Sequence, residues 1–158
     1  IPHMTLLAPR DEKSMHHALG YSYTHQGPLA IRYPRGSFFE CSDFESLPFE
    51  YGKAQLLKEG EGNILLLGYG NGVGKAVETA AFLQQEGVDV AIVDLRFAKP
   101  LDEVLLATLA QRYKQWYVFS DSAKIGGVGS LIGQFKEKMN LHVKIFHVWT
   151  LVQGLLLF

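Results

Sequence analysis

From Tyr51 onward, short apolar runs alternate with segments whose apolar residues recur at helical spacing. Lys53–Lys58 predicts an edge strand, turned by Gly60-Glu61-Gly62 into a strand at Ile64–Leu67. Val88–Phe97, with its apolar centre Val90-Ala91-Ile92-Val93, predicts a strand, as do Trp116–Phe119 and Val143–Val148. Gly68–Gly74 opens a helix with Val73, Val77, Ala80 and Ala81 on one face, and Gly87 ends it. Asp102 is placed to cap a helix that turns Leu105, Leu106, Leu109 and Ala110 inward. Gly126-Gly127 leads into a helix carrying Val128, Leu131, Ile132, Phe135 and Met139 at i, i+3, i+4, i+7 and i+11. Strands alternating with helices of this length predict right-handed βαβ units. The fold class is therefore α/β, a mainly parallel sheet with helices on both faces.

The chain before Tyr51 has a different texture. Thr5–Ala8 is a short strand candidate ended by Pro9, and Asp11 is an N-cap. Met15, Leu19 and Tyr23 fall at i, i+4 and i+8, which predicts the buried face of a helix. Gly27-Pro28 stops it, and Leu29-Ala30-Ile31 forms the next strand. This β-α-β unit is too small for a core of its own and is expected to lean on sheet outside the chain. Residues 37–50 mix Phe38, Phe39, Phe44 and Phe49 with Glu40, Asp43, Glu45 and Glu50 without periodicity. They read as a linker whose aromatics pack on the units beside it. The expected division is 1–36, 37–50 and 51–158.

Composition narrows the class of function. Hydrophobic residues make up 47% of 158, ample for a core. The formal net charge of −1 carries no basic excess for nucleic acid, and no polybasic run suggests a membrane surface. The apolar segment at Val148–Phe158 is far short of the ~20 residues of a spanning helix. The lone Cys41 cannot form an internal disulfide, which fits a reducing, cytoplasmic setting. The chain starts at Ile1-Pro2 and reads as a piece of something longer.

Candidate chemistry centres on Arg32-Tyr33-Pro34-Arg35, directly after the strand at Leu29–Ile31. Pro34 cannot extend a sheet interior and holds Tyr33 extended. Two guanidiniums are thereby offered at a strand's carboxyl end, where α/β proteins build their sites. Each is a fork of donors suited to phosphate or carboxylate. An oxyanion clamp and a pair of solvated surface arginines both fit these residues. Gly68-Tyr69-Gly70-Asn71-Gly72-Val73-Gly74 has the strand-to-helix context of a dinucleotide fingerprint, with Asp94 near a ribose-binding position. The spacing fails, because Val73 or Lys75 stands where a third glycine is needed. A tight turn, with Asp94 in a polar contact, is the better reading. Gly126, Gly127 and Gly129 suit close packing more than anion binding, since no Lys-Ser/Thr pair follows. The six histidines show no metal-ligand spacing, and no Gly-x-Ser-x-Gly elbow occurs.

Taken in order, several segments resemble the 1-deoxy-D-xylulose 5-phosphate synthase family of the transketolase superfamily. They are Ile1-Pro2-His3-Met4, Ala8-Pro9-Arg10-Asp11-Glu12, Gly27-Pro28 and Ala30–Gly36. The match continues through Val93-Asp94-Leu95-Arg96-Phe97-Ala98-Lys99-Pro100-Leu101-Asp102 and Gly126-Gly127-Val128-Gly129-Ser130, spanning about residues 1–146. The resemblance implies that 1–36 ends a pyrimidine-binding domain and that 51–158 is a transketolase carboxyl-terminal domain. It implies an enzyme using thiamine diphosphate and Mg²⁺ to condense pyruvate with glyceraldehyde 3-phosphate, with loss of CO₂, for isoprenoid, thiamine and pyridoxal synthesis. It places Arg35 first, and Arg32 second, as the residue meeting the acceptor's phosphate. The cofactor-binding and catalytic parts precede Ile1 in that family. This chain is therefore expected to bind neither thiamine diphosphate nor Mg²⁺ and to be inactive alone. A homodimer is expected, because the β-α-β unit and the terminal leucines leave apolar surface. The chain departs from the family at Ser120-Asp121-Ser122, where acidic residues are usual, and from Trp149 to Phe158. Two other readings stay open: a transketolase or 2-oxo acid dehydrogenase β-type subunit, and a non-catalytic interaction or dimerisation module.

Overall fold

The computed structural model describes residues 2–149 except 40, 42 and 124. The expectations placed on residues 150–158 lie outside the described residues. In chain order the elements are β1 (Thr5–Leu7), α1 (Glu12–Thr24), β2 (Leu29–Ile31), β3 (Gln55–Lys58), β4 (Ile64–Gly68) and α2 (Gly72–Gln85). They continue with β5 (Ala91–Asp94), β6 (Phe97–Lys99), α3 (Glu103–Arg112), β7 (Gln115–Ser120), α4 (Val128–Lys138) and β8 (Lys144–Trp149).

The larger sheet has five strands in the order β3-β5-β4-β7-β8, and only β3 runs antiparallel. Alternation along β4 explains its two faces. Leu65 and Leu67 point to one side with Ala91, Val93, Trp116 and Val118, covered by Leu106 and Leu109 of α3 and Val128, Ile132 and Phe135 of α4. Leu66, Ile92 and Phe119 point to the other, covered by Ala76 and Ala80 of α2. A mainly parallel sheet with helices on both faces is the architecture the sequence predicts.

β3 lies at the edge of the larger sheet, as the sequence predicts, and its partner there is β5, whose Ile92 and Val93 it reaches in antiparallel register. β4, flanked on both sides by parallel partners, is left in the sheet's interior, where a continuous apolar strand belongs. Two local expectations are corrected. The strand predicted over 88–97 is two strands. Arg96 takes a left-handed backbone, φ 54°, and its N–H donates to Asp94 Oδ1 at 3.0 Å. That bend sends β6 away from β5 and into another sheet. Finally, α1 does not bury Met15, Leu19 and Tyr23. Leu19 is 47% and Tyr23 90% exposed, whereas Ser14 and Ala18 are buried. The small residues face inward because the helix lies close to its neighbours, and spacing alone cannot distinguish the two stripes.

The second sheet is β2-β1-β6. β1 and β2 are parallel, as a β-α-β unit requires, and β6 adds antiparallel on the far side of β1. The unit therefore leans on β6 of this same chain, which corrects the expectation that its support lies wholly outside. Its core is borrowed: Leu7 and Ala18 pack with Phe49 and Phe97, both from later in the chain. Phe97 meets Phe49 and Tyr21 edge-on, with ring centroids 5.6 and 5.9 Å apart. The segment between the sheets forms no helix or strand among its described residues, and it packs on both sides. Phe49 is buried, Phe44 packs against the α2 face, and Lys75 lies over the Phe39 ring.

Candidate functional site

Three strand ends meet at one place. Arg32 follows β2, Tyr69-Gly70-Asn71 follows β4, and Asp121 follows β7. The backbone brings them close before any side chain is considered: Tyr69 N–H donates to the Phe119 carbonyl at 3.1 Å, and Arg32 N–H to the Leu7 carbonyl at 2.8 Å. Gly70 has φ 57°, and a Cβ there would stand 3.2 Å from the Ala8 methyl carbon and 3.8 Å from Arg32 Nη1. A glycine is thus required by conformation and by closeness. Gly72 opens α2 against β7, where a Cβ would collide with the Phe119 carbonyl. The glycine-rich run is a tight strand-to-helix turn.

At this junction Arg32 Nη1 donates to Asp121 Oδ1 at 2.6 Å, and Nη2 to the Asp121 carbonyl at 3.4 Å. The side chains are 35% and 15% exposed, so the pair is half-buried and open on one side. The Asp121 loop is pinned from behind: Ser120 and Ser122 hydroxyls are 2.7 Å apart, and Val128 N–H at the start of α4 donates to Ser122 Oγ. Tyr69 is buried, and its hydroxyl has no partner among the described residues. Burial pushes its phenol above the ordinary range, against the pull of the Arg32 guanidinium. Asn71, the N-cap of α2, makes no side-chain cap bond, and its Oδ1 is buried without a partner among the described residues.

Of the two arginines singled out from sequence, Arg32 sits in this junction. Arg35 is exposed and makes no polar contact among the described residues. The two share no partner. Asp94, weighed as a ribose ligand, is fully buried and committed elsewhere. Gly127 caps α4, and Gly129 lies where a Cβ would meet the His147 ring, so these glycines serve packing. Among the described residues no group of three or more His, Cys, Asp or Glu is placed to hold a metal ion. The donor set present does not fit a Mg²⁺-diphosphate site. No helix among them is long and apolar enough to cross a membrane.

Local reasoning passed over Arg10. It has no exposed surface, and it donates to Asp94 Oδ2 at 3.0 Å, Asp11 Oδ2 at 3.1 Å, Gln55 Oε1 at 3.1 Å and the Glu45 carbonyl at 2.9 Å. One side chain thereby ties α1, β3, β5 and the connecting segment together. Arg96 repeats the device, donating to the carbonyls of Leu47 and Pro48 while lying 3.9 Å over the Phe49 ring. The only signal for either was membership in the motifs Pro9-Arg10-Asp11 and Leu95-Arg96-Phe97. Cys41 lies beside the Arg10 cluster. Burial foremost, with Asp11 adding, pushes its thiol up to about 11. The native chain is therefore expected to resist iodoacetamide at neutral pH and to react promptly once unfolded. A mass-spectrometric time course checks this, and fast native alkylation would contradict the burial.

Comparison with known proteins gives the family. The family model for the transketolase C-terminal domain matches residues 52–151. The chain belongs to the transketolase C-terminal-domain family. It is 51% identical over 146 residues to the 1-deoxy-D-xylulose-5-phosphate synthase of Sulfurimonas denitrificans, covering 92% of this chain and 24% of that protein. It is 50% identical over 145 residues to that of Campylobacter jejuni subsp. doylei, with the same coverage. For the Nitratiruptor enzyme the figures are 53% over 132 residues, 84% and 22%. The chain thus spans about a quarter of the length of these relatives. A solved "Split gene transketolase, inactive beta4 tetramer" superposes with a TM-score of 0.86 at 27% identity, covering 94% of this chain and 49% of the other. The β3-β5-β4-β7-β8 sheet with α2, α3 and α4 lies within the matched transketolase C-terminal domain.

Proposed function

We propose that this chain serves as the carboxyl-terminal part of a 1-deoxy-D-xylulose 5-phosphate synthase. Residues 1–36 close its pyrimidine-binding domain, and 51–158 form its carboxyl-terminal domain. The parent enzyme condenses pyruvate with glyceraldehyde 3-phosphate and releases CO₂. Thiamine diphosphate, held with Mg²⁺ by parts of the protein outside this chain, supplies the carbon–carbon chemistry. The observation that carries the reading is the placement of Arg32 at the junction of three strand ends, in a chain about half identical to named synthases.

In this reading the chain's own residues bind and orient the acceptor. Arg32 meets its phosphate with the donors that Asp121 leaves free, and Arg35 stands at the rim, where it draws the dianion in. The chain alone turns nothing over and works in a homodimer. A non-catalytic assembly role is the second reading, and the likeness to a split-gene transketolase chain that forms an inactive tetramer favours it.

In the intact enzyme, Arg32→Ala is expected to lower kcat/KM for glyceraldehyde 3-phosphate by about 10- to 150-fold, the worth of a charge-assisted hydrogen bond of ~1.5–3 kcal/mol. Pyruvate decarboxylation without acceptor changes less, and Arg35→Ala costs less than Arg32→Ala because its site is more solvated. Steady-state kinetics with varied acceptor reads this. An equal loss in both half-reactions would make Arg32 a structural residue.

A further inference from the structure

Residues 44–48 lie on the protein with their backbone turned inward. Phe44 packs on the α2 cluster, and Phe49, just beyond, is buried with Leu7, Ala18 and Phe97. Between these aromatic anchors Glu45, Leu47 and Pro48 are exposed. Four carbonyls of the stretch accept hydrogen bonds from two guanidiniums. Arg10 Nη2 donates to the carbonyls of Phe44 at 3.4 Å and Glu45 at 2.9 Å, and Arg96 donates to those of Leu47 and Pro48. Gln55 Nε2 adds a bond to the Glu45 carbonyl at 2.8 Å. The middle of the segment is neither helix nor strand and buries little apolar area. Such segments belong to the low-stability end of a fold, so this one stays down only while the two guanidiniums stand where they do.

Asp94 sets both positions. Arg10 Nη1 donates to its Oδ2 at 3.0 Å, and the Arg96 N–H donates to its Oδ1 at 3.0 Å. The Arg10 charge opposes that of Arg96, while the Asp94 carboxylate favours it and is itself favoured by both arginines. Without that carboxylate two like charges would face each other out of water, an arrangement that drives the side chains towards solvent. We propose that Asp94 is the keystone of a strap. Through Arg10 and Arg96 it holds residues 44–48 down where the two sheets meet, and the strap opens as a local unit while the sheets stay folded. Asp94 is thus a positioning residue that acts on the strap through two arginines from different parts of the fold. Arg10 stands between β1 and α1, and Arg96 between β5 and β6.

Two reporters follow the two ends of the strap in the whole chain. Cys41 is buried, and its carbonyl accepts from the Phe44 N–H at 3.2 Å, so slow alkylation by iodoacetamide reads the Arg10 end. Chymotryptic cleavage after Leu47, identified by mass spectrometry, reads the Arg96 end. Both rates track the open population when opening is fast relative to the chemistry. Asp94→Asn keeps the shape and removes the charge. It is expected to speed both reporters about tenfold or more, the low end for one lost charge-assisted hydrogen bond, while amide exchange in β4 and β7 stays slow. Ile132→Ala, a cut in the buried core against α4, is the control for general destabilisation and should leave both reporters near the wild-type rate. Reporter rates that merely follow urea stability in both variants overturn the proposal, since the strap then opens only with the whole fold. Acceleration of one reporter alone in Asp94→Asn also overturns it, since the ends are then held separately. If Asp94→Asn does not fold, Arg10→Lys and Arg96→Lys decide. Each keeps the charge and loses the fork, and each should speed the reporter at its own end about tenfold. No change in either variant overturns the proposal.

Discussion

Arg10→Ala is expected to destabilise the fold by about 3–5 kcal/mol, because it strands a fully buried carboxylate. Asp94 has no exposed surface, and Arg10 is its ion-pair partner at 3.0 Å. The loss reaches further than the pair, since the same guanidinium holds Asp11, Gln55 and the Glu45 carbonyl. For a chain of this size each kcal/mol lowers Tm by roughly 2–4 °C, so a drop of about 6–20 °C follows. Adding Asp94→Asn to Arg10→Ala should restore part of the loss, as removing both charges is cheaper than orphaning one. The pH dependence has a definite sign. Burial already raises the Asp94 carboxyl above its unfolded value, with Arg10 the first of the opposing pulls. A raised carboxyl costs stability in full above its folded value and nothing below its unfolded one. The Arg10→Ala deficit therefore narrows as pH falls through the acid range. Urea unfolding of the single and double variants from pH 7 to pH 4 measures both effects. A deficit below about 1 kcal/mol, or one that widens in acid, would show that Asp94 is not held as an ion pair.

Phe97→Ala is expected to cost about 3–5 kcal/mol as well, and to fall unevenly across the chain. Phe97 has no exposed surface and is the hub against which Leu7, Ala18, Phe49 and Tyr21 pack. It also lies on β6, the strand that pairs with β1. Removing the ring empties the core that joins the β2-β1-β6 sheet to the rest, while the two faces of the five-stranded sheet keep their own clusters. Amide exchange should therefore accelerate across 5–31 more than across β4, β5 and β7. Exchange that accelerates uniformly would mean that the two sheets open as one cooperative unit.

Much of this architecture is written locally. The strands β4, β5 and β7 announce themselves because a strand buried on both faces needs an unbroken apolar run, and Leu65-Leu66-Leu67, Ile92-Val93 and Trp116–Phe119 supply it. The starts of α1 and α3 are legible because a capping carboxylate acts on its own helix: Asp11 accepts from Ser14 N–H and Asp102 from Leu105 N–H. The presence of an arginine at the end of β2 is equally local. Other features belong to the tertiary structure, because they depend on residues far apart in sequence. β3 pairs with β5 and leaves the interior to β4, a choice between sheet edges that its own residues do not encode. α1 turns Ser14 and Ala18 inward in place of its larger apolar stripe because its neighbours lie close. The strand at 88–97 breaks at Arg96, whose left-handed backbone is secured by Asp94 and by the carbonyls of Leu47 and Pro48. Arg10 meets Asp94 across 84 positions, and Arg32 meets Asp121 across 89. A pairing over that distance leaves no periodicity to read. Its charges find each other only after the hydrophobic layers have set the strand ends side by side.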